Sequence, residues 1–244
     1  MRNADQWKPT RVVREKRSGR FLTNRAKVFG GSIYIAQRQH EEYIPLLQEY
    51  VRGHVLDIGC GPVPYYEVYR DKATQITCVD WEGSLHAQAY VDQFVDLNIR
   101  TPLPFPDGTF DSAVASDPIM HLKYPDHLMG ELFRVLKPGG QAFISAPAIY
   151  WTSEPPNEYF HPSEWGLRRW SDDAGFEVVH LASYGGHVDV LMDVLNKFME
   201  GGLRNRMFLL FARLVRWTGW PRRNRAKANS HWAQGHCMVV RKAG

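Results

Sequence analysis

The sequence is short of several things, and each shortage closes off a class of protein. Three cysteines, Cys60, Cys78 and Cys237, are odd in number and scattered, so they support neither a disulfide framework nor a thiolate metal site and suit a reducing cytoplasm. The longest strongly apolar run, Met207 to Ala212, is six residues, against the ~20 that a helix needs to cross a bilayer. Met1–Gly30 holds no apolar stretch of the kind that forms a secretory signal. No internal repeat is found. Acid is missing altogether from residues 201–244, which carry ten Lys or Arg.

What is present is enough for a well-filled core: 244 residues, 44% of them hydrophobic, with eight Trp, a size that suits one α/β domain with embellishments. The net charge of +4 hides an uneven distribution. Residues 1–28 hold nine Lys or Arg against two acids, while residues 29–200 carry a net charge of −13. A basic head and a basic tail therefore flank an acidic body. Either the ends pack on that body and neutralise it, or they meet an anionic partner such as a phosphate-bearing substrate, a membrane surface or nucleic acid. We divide the chain into a basic N-terminal arm over 1–30, aperiodic and mobile unless something holds it, and a single domain over 31–244.

The organising stretch is Val55-Leu56-Asp57-Ile58-Gly59-Cys60-Gly61-Pro62, a short apolar run entering a glycine turn. Glycine accepts positive φ and lets a ligand approach the backbone, and ligands of parallel sheets bind outside the carboxyl ends of the strands. A helix precedes it, with Ile35, Tyr43, Ile44, Leu46, Leu47 and Val51 as apolar positions and Gly53 as a stop. A second strand, Gln75 to Val79, ends on Asp80, about 20 residues past the glycines, where an acid can accept from ribose hydroxyls. A dinucleotide fingerprint would need a third glycine, and Pro64 holds that position. A nucleoside ligand without pyrophosphate remains compatible.

Downstream, an alternating segment (Tyr90, Val91, Phe94, Val95) ends on Asp96 and Leu97, and Thr109 to Ser116 reads as a further strand. Glu131 to Val135 reads as a helix, Lys137-Pro138-Gly139-Gly140 as a turn and Gln141 to Ser145 as the next strand. Together these segments resemble, in order and spacing over roughly residues 50–182, the class I S-adenosylmethionine-dependent methyltransferases with a type-11-like domain. The resemblance implies an enzyme with a doubly wound, mostly parallel seven-stranded sheet and an antiparallel last strand, using S-adenosyl-L-methionine as cofactor. Carried over residue by residue, the cofactor set is Asp57, Gly59, Cys60, Gly61, Asp80, Trp81, Asp96, Leu97 and Ser116. Asp57 also has a plain structural role available, holding the loop together. In its later region the chain has a looser similarity to methyltransferases of sugars, glycans and secondary metabolites.

For a hydroxyl acceptor, a general base contributes ~10²–10⁴-fold. His121, in the loop after the fourth family strand, is the first candidate, and His161, in the long Pro- and aromatic-rich loop after the fifth, is the second; Asp117 and Glu158 are weaker ones. No metal spacing is defensible. The acceptor is expected to be a hydroxyl or amine on a sugar, glycan precursor or glycosylated metabolite. Tyr150, Trp151, Tyr159, Phe160 and Trp165 keep an aromatic or lipid-like acceptor open, and a non-catalytic cofactor-binding scaffold is the reading from another class.

The chain departs from the family pattern near its end. About 50 residues (185–234) separate the sixth strand from the seventh, Gly235 to Arg241. This insertion reads as two helices. Val188, Leu191, Val194, Leu195 and Phe198 give one apolar face, and Leu203, Met207, Leu210, Phe211, Leu214 and Val215 another, with Arg204, Arg206, Arg213 and Arg216 between them. Arg222, Arg223, Arg225 and Lys227 extend the charge. Such a helix can pack on its own domain, form a homodimer, or lie on an anionic membrane at the inner face. Nothing matches a nucleic-acid-binding module.

Overall fold

The computed structural model describes residues 1–84, 89–199, 202–218 and 231–244. Arg222, Arg223, Arg225 and Lys227 fall outside them. In chain order the elements are strands β1 (Val12–Arg14) and β2 (Phe21–Thr23), helix α1 (Ile33–Tyr50), β3 (Gly53–Ile58), α2 (Tyr66–Tyr69), β4 (Ala73–Asp80) and β5 (Gln93–Phe94). There follow β6 (Phe110–Ser116), α3 (Pro125–Val135), β7 (Leu136–Pro147), α4 (Glu164–Ala174), β8 (Phe176–Tyr184), α5 (His187–Phe198), α6 (Gly202–Trp217) and β9 (Gly235–Lys242). Seven strands form one sheet in the order β5-β4-β3-β6-β7-β9-β8, in which β9 runs antiparallel to both neighbours and the other pairs are parallel. This is the doubly wound architecture expected from the sequence.

The two-residue period of each strand sorts its side chains onto opposite faces. Val55, Val114, Phe143 and Val239 pack with α1, α2 and the N-terminal segment. Their neighbours Leu56, Ala113, Ala115, Ile144 and Val240 pack with α3 and α4. Ser163 caps α4 as its sequence suggests, accepting from Gly166 N–H at 3.3 Å.

Three features differ from expectation. The N-terminal head is held: β1 and β2 form an antiparallel pair, Val12 and Trp7 are buried in the first core, and Trp7 Nε1 donates to Pro62 O at 3.2 Å. The strand expected over Tyr90–Val95 shrinks to Gln93–Phe94. Before it, Asp92 Oδ2 accepts from Cys78 N–H at 2.7 Å and so takes a β4 donor that a longer ladder would use. Lys137 to Gly140 turns within β7 instead of preceding it: Leu136 and Gln141 pair with Phe110 and Ser112, so the intervening four residues loop out as a bulge.

The insertion is attached through a small third cluster of Tyr34, Val188, Met192, Phe208 and Ala212. Buried amides fix its position. Asn196 Nδ2 donates to Gly31 O at 2.6 Å, and Asn205 Nδ2 donates to Asn196 Oδ1 at 3.0 Å.

Candidate active site

Strand order reverses at β3, with β4 on one side and β6 on the other, so their carboxyl ends border one crevice. Gly59 leaves β3 at φ +63° and Gly61 follows at φ +50°. The two glycines are needed for different reasons. A Cβ on Gly59 would stand 2.6 Å from Pro118 Cβ in the turn after β6, whereas a Cβ on Gly61 would meet nothing within 4 Å. The first glycine serves packing; the second presents bare backbone to open space. Cys60 N–H donates to Val79 O at 3.1 Å and so ties the turn to β4. The Cys60 thiol, hydrogen-bonded with the Cys78 thiol and buried, is pushed far above the ordinary thiol range and stays protonated.

Two buried carboxyls stand beside this turn. Asp80 accepts from Gly61 N–H and from Trp81 N–H, each at 2.8 Å. Burial raises its pKa, and these hydrogen bonds oppose the rise. Asp57 accepts from the Tyr69 hydroxyl. Burial pushes the Asp57 carboxyl up to about 7; the Tyr69 bond pulls it down and the neighbouring Asp80 adds to the rise. Trp81 is exposed beside Asp80. Asp96 is exposed, Leu97 is half-buried against the second core, and Ser116 is half-buried at the end of β6. The structure thus brings Asp57, Gly59, Cys60, Gly61, Asp80 and Trp81 together. Asp96 joins indirectly: it fixes Asn98, whose Nδ2 donates to His121 O at 3.0 Å.

His121 lies in a short turn after β6, and its Nδ1 is 2.7 Å from Asn157 O in the long loop. A carbonyl can only accept, so Nδ1 carries the proton and a neutral ring leaves Nε2 as a proton acceptor. The loop folds over this turn, with Tyr159 N–H donating to Met120 O at 2.7 Å. His161 Nε2 lies 2.6 Å from Glu158 Oε1 within the same loop. Burial raises the Glu158 carboxyl, but bonds from His161, Ser153 and Glu154 outweigh it and leave the pKa lowered. Among the described residues no group of three His, Cys, Asp or Glu is arranged to hold a metal ion.

A polar cluster at the tip of β6 has more convergent geometry than the sequence suggested. Asp117 has φ +66°, a left-handed conformation that Asp tolerates better than most side chains. Its carboxylate accepts from Ser145 Oγ at 2.7 Å, Tyr43 OH at 3.1 Å and Gln39 Nε2 at 3.2 Å, and Arg11 Nη1 stands 3.6 Å away. Gln39 Nε2 also donates to Tyr184 OH at 3.1 Å. His40 and Tyr65 lie beside this cluster, their rings 5.6 Å apart. Among the described residues the buried His40 Nε2 and Gln39 Oε1 have no hydrogen-bond partner, so the cluster holds polar capacity that its own members do not use. Of these residues only Asp117 was suggested by sequence. The available signal was Asp-Pro directly after a strand, and the buried polar positions of α1 gave none.

The comparisons with known proteins agree with this geometry. Residues 56–144, from β3 into β7, match a family model described as "Methyltransferase domain". A Mycolicibacterium smegmatis protein named "Probable S-adenosylmethionine-dependent methyltransferase" is 30% identical over 152 residues, 58% of this chain and 59% of its own length. The sterol 24-C-methyltransferase erg-4 of Neurospora crassa is 29% identical over 46% of this chain and 32% of its own. An S-adenosylmethionine-dependent methyltransferase structure from Archaeoglobus fulgidus superposes with a TM-score of 0.53 at 16% identity, covering 84% of this chain and 91% of that one, which speaks to the fold. The chain spans 38% to 59% of the length of the first three curated relatives it matches. The resemblance read from the motifs is borne out: residues 56–144 match a methyltransferase domain, the sheet has the seven-strand architecture, and S-adenosylmethionine is the cofactor these matches indicate.

Proposed function

We propose that the protein transfers a methyl group from S-adenosylmethionine to a hydroxyl or amine of a small-molecule acceptor, with a sugar, glycan precursor or glycosylated metabolite as the acceptor class. The observation that carries the cofactor half is the pairing of Asp80 with the Gly61 N–H beside a glycine whose Cβ direction is open. That is a cradle which any side chain at position 61 would fill. S-adenosylmethionine, when bound, supplies a methyl group activated on a sulfonium. Asp57 and the backbone of Gly59, Cys60 and Gly61 would hold its amino-acid end, and Asp80 with Trp81 its ribose. Asp96 and Leu97 would flank the adenine, with Ser116 at the lip of β6.

The chain's remaining work is orientation and proton removal. Positioning alone is worth up to ~7–11 kcal/mol of barrier in favourable cases. The Asp117 cluster supports a hydroxyl-bearing acceptor, because it gathers a carboxylate, a guanidinium, an amide and hydroxyls at the tip of β6. His121, its tautomer set by Asn157 O, is the group we assign to accept the acceptor proton. His161 holds the secondary assignment, since its Nε2 is engaged by Glu158.

Calorimetry with S-adenosylhomocysteine tests the cofactor half: micromolar binding weakened by Asp80→Ala is expected, and no binding at high micromolar concentration would sink the proposal. Transfer of labelled methyl to nucleotide sugars, glycosides and phenols tests the acceptor. A second reading, an aromatic or lipid-like acceptor, is favoured by the exposed Trp151, Tyr159, Phe160 and Trp165 in and after the long loop, and predicts that phenols outperform sugars. Cofactor binding with silence across the whole panel would instead favour a non-catalytic scaffold.

A further inference from the structure

The last helix before β9 turns its apolar stripe outward. At about 100° per residue, Leu203, Met207, Leu210, Phe211, Leu214 and Trp217 fall in one band of α6. All six are exposed, from 52% for Phe211 to 87% for Trp217. The opposite face, Asn205, Phe208 and Ala212, is the one buried against α1 and α5. The helix therefore cannot turn its stripe inward without breaking the Asn205–Asn196 bond and the Phe208 contact. Exposed apolar surface continues onto α5 through Phe198, 80% exposed.

Arginines border the stripe. By the same rotation Arg204 lies on one margin of the band, and Arg206 and Arg213 lie on the other. None of the three pairs with an acid among the described residues, and α6 itself has no Asp or Glu. The positive field extends past the helix. Three residues of the stripe, Leu210, Leu214 and Trp217, line a groove of about 1330 Å³ against α1 and the β1–β2 pair, where Arg20 and Arg25 also stand. Glu41, the acid of that lining, is engaged by Arg38.

We infer that α6, with the exposed end of α5, docks the protein on an anionic lipid bilayer, the stripe entering the headgroup–acyl boundary and the flanking arginines meeting lipid phosphates. Interfacial helices have this build: a dense apolar face, a basic margin and no internal acid. A second copy of the chain is the poorer occupant. Two such faces brought together around a twofold axis would oppose arginine to arginine with no acid between them. The attachment is peripheral, because no described helix is long and apolar enough to cross a membrane.

The test is flotation of the full chain with vesicles of phosphatidylcholine alone and of phosphatidylcholine with about one third phosphatidylglycerol. Near an anionic surface each arginine strengthens partitioning about fivefold. Arg204→Gln with Arg206→Gln and Arg213→Gln should therefore weaken binding to the mixed vesicles on the order of 100-fold at low salt, with rising salt doing the same to wild type. Met207→Ser with Leu210→Ser and Leu214→Ser should abolish binding to both vesicles. These side chains are exposed, so the thermal midpoint and S-adenosylhomocysteine affinity should hold in both variants, separating docking from folding and from cofactor binding. Equal partitioning of wild type onto both vesicles would overturn the inference. So would failure to float with either, or a stable dimer in sedimentation that the serine variant dissolves.

Discussion

Asp57 offers the sharpest test of the cofactor cradle, because its environment makes binding release a proton. In the folded chain burial sets its carboxyl at about 7, against an ordinary aspartate value of about 3.9. At 1.36 kcal/mol per unit, holding it ionised inside the protein costs about 4 kcal/mol. The sign follows from which state holds the proton. Between the two pKa values the folded chain binds the proton and the unfolded chain does not, so this residue's contribution to stability falls as pH rises from about 4 to about 7 and is flat beyond. A ligand ammonium placed against Asp57 would favour the charged form and expel that proton. At pH 6 the free protein carries about 0.9 proton on Asp57 and at pH 8 about 0.1, so binding should release about that much at each pH. Calorimetric titration with S-adenosylhomocysteine in two buffers of different ionisation enthalpy reads the number directly. Asp57→Asn removes the titration while keeping the shape. Tyr69→Phe, by deleting the hydroxyl that favours the carboxylate, should move the release to higher pH. Absence of proton release at pH 6, or release that persists undiminished in Asp57→Asn, would refute the placement of the ammonium.

Other outcomes follow from neighbouring residues. His121→Gln should lower kcat by ~10²–10⁴ while leaving S-adenosylhomocysteine affinity within about twofold, as expected for a general base; weakened affinity would instead mark His121 as a binding residue. Gly59→Ala should abolish folding or lower the thermal midpoint severely, since its Cβ would press on Pro118, whereas Gly61→Ala should cost only about 1–2 kcal/mol of backbone strain yet lose the cofactor. If the two variants behave alike, the division between a packing glycine and a ligand-facing glycine is wrong. Burial lowers His40 to about 3, with Arg11 adding to the fall, and lowers His236 to about 4. The unfolded chain therefore gains protons near pH 6.5 that the folded one refuses, and stability should drop as pH falls from 6.5 towards 4. In denaturant melts His236→Gln should flatten part of that drop, and an unchanged slope would show that His236 is not the responsible group.

The sheet was legible because its strands carry their own period and punctuation. Val55–Ile58 entering two glycines, Asp80 closing the next strand, and Asn-free apolar runs at β6 and β9 need no tertiary information to be recognised. The Asp117 cluster was not legible, since it exists only where an arm residue, two polar side chains of α1, a strand tip and Ser145 converge. The head offered no period, so its docking through Trp7 and Val12 could not be foreseen. For α6 the spacing of Leu203, Met207, Leu210, Phe211 and Leu214 was evident, but periodicity reports that a stripe exists and not what covers it. The buried side rests on Asn205, Phe208 and Ala212, too few apolar residues to announce themselves.

The insertion begins after Tyr184 and ends before Gly235, and these two residues are paired across β8 and β9, with the Tyr184 hydroxyl packed where a Cβ of Gly235 would lie. In polymer terms the α5–α6 segment is a closed loop on a fixed gate. Closure entropy grows only with the logarithm of length, about 0.6 kcal/mol for each doubling. The helices can therefore be lengthened or given another outer face at little cost to the sheet. The docking surface and the cofactor cradle are thereby free to change independently.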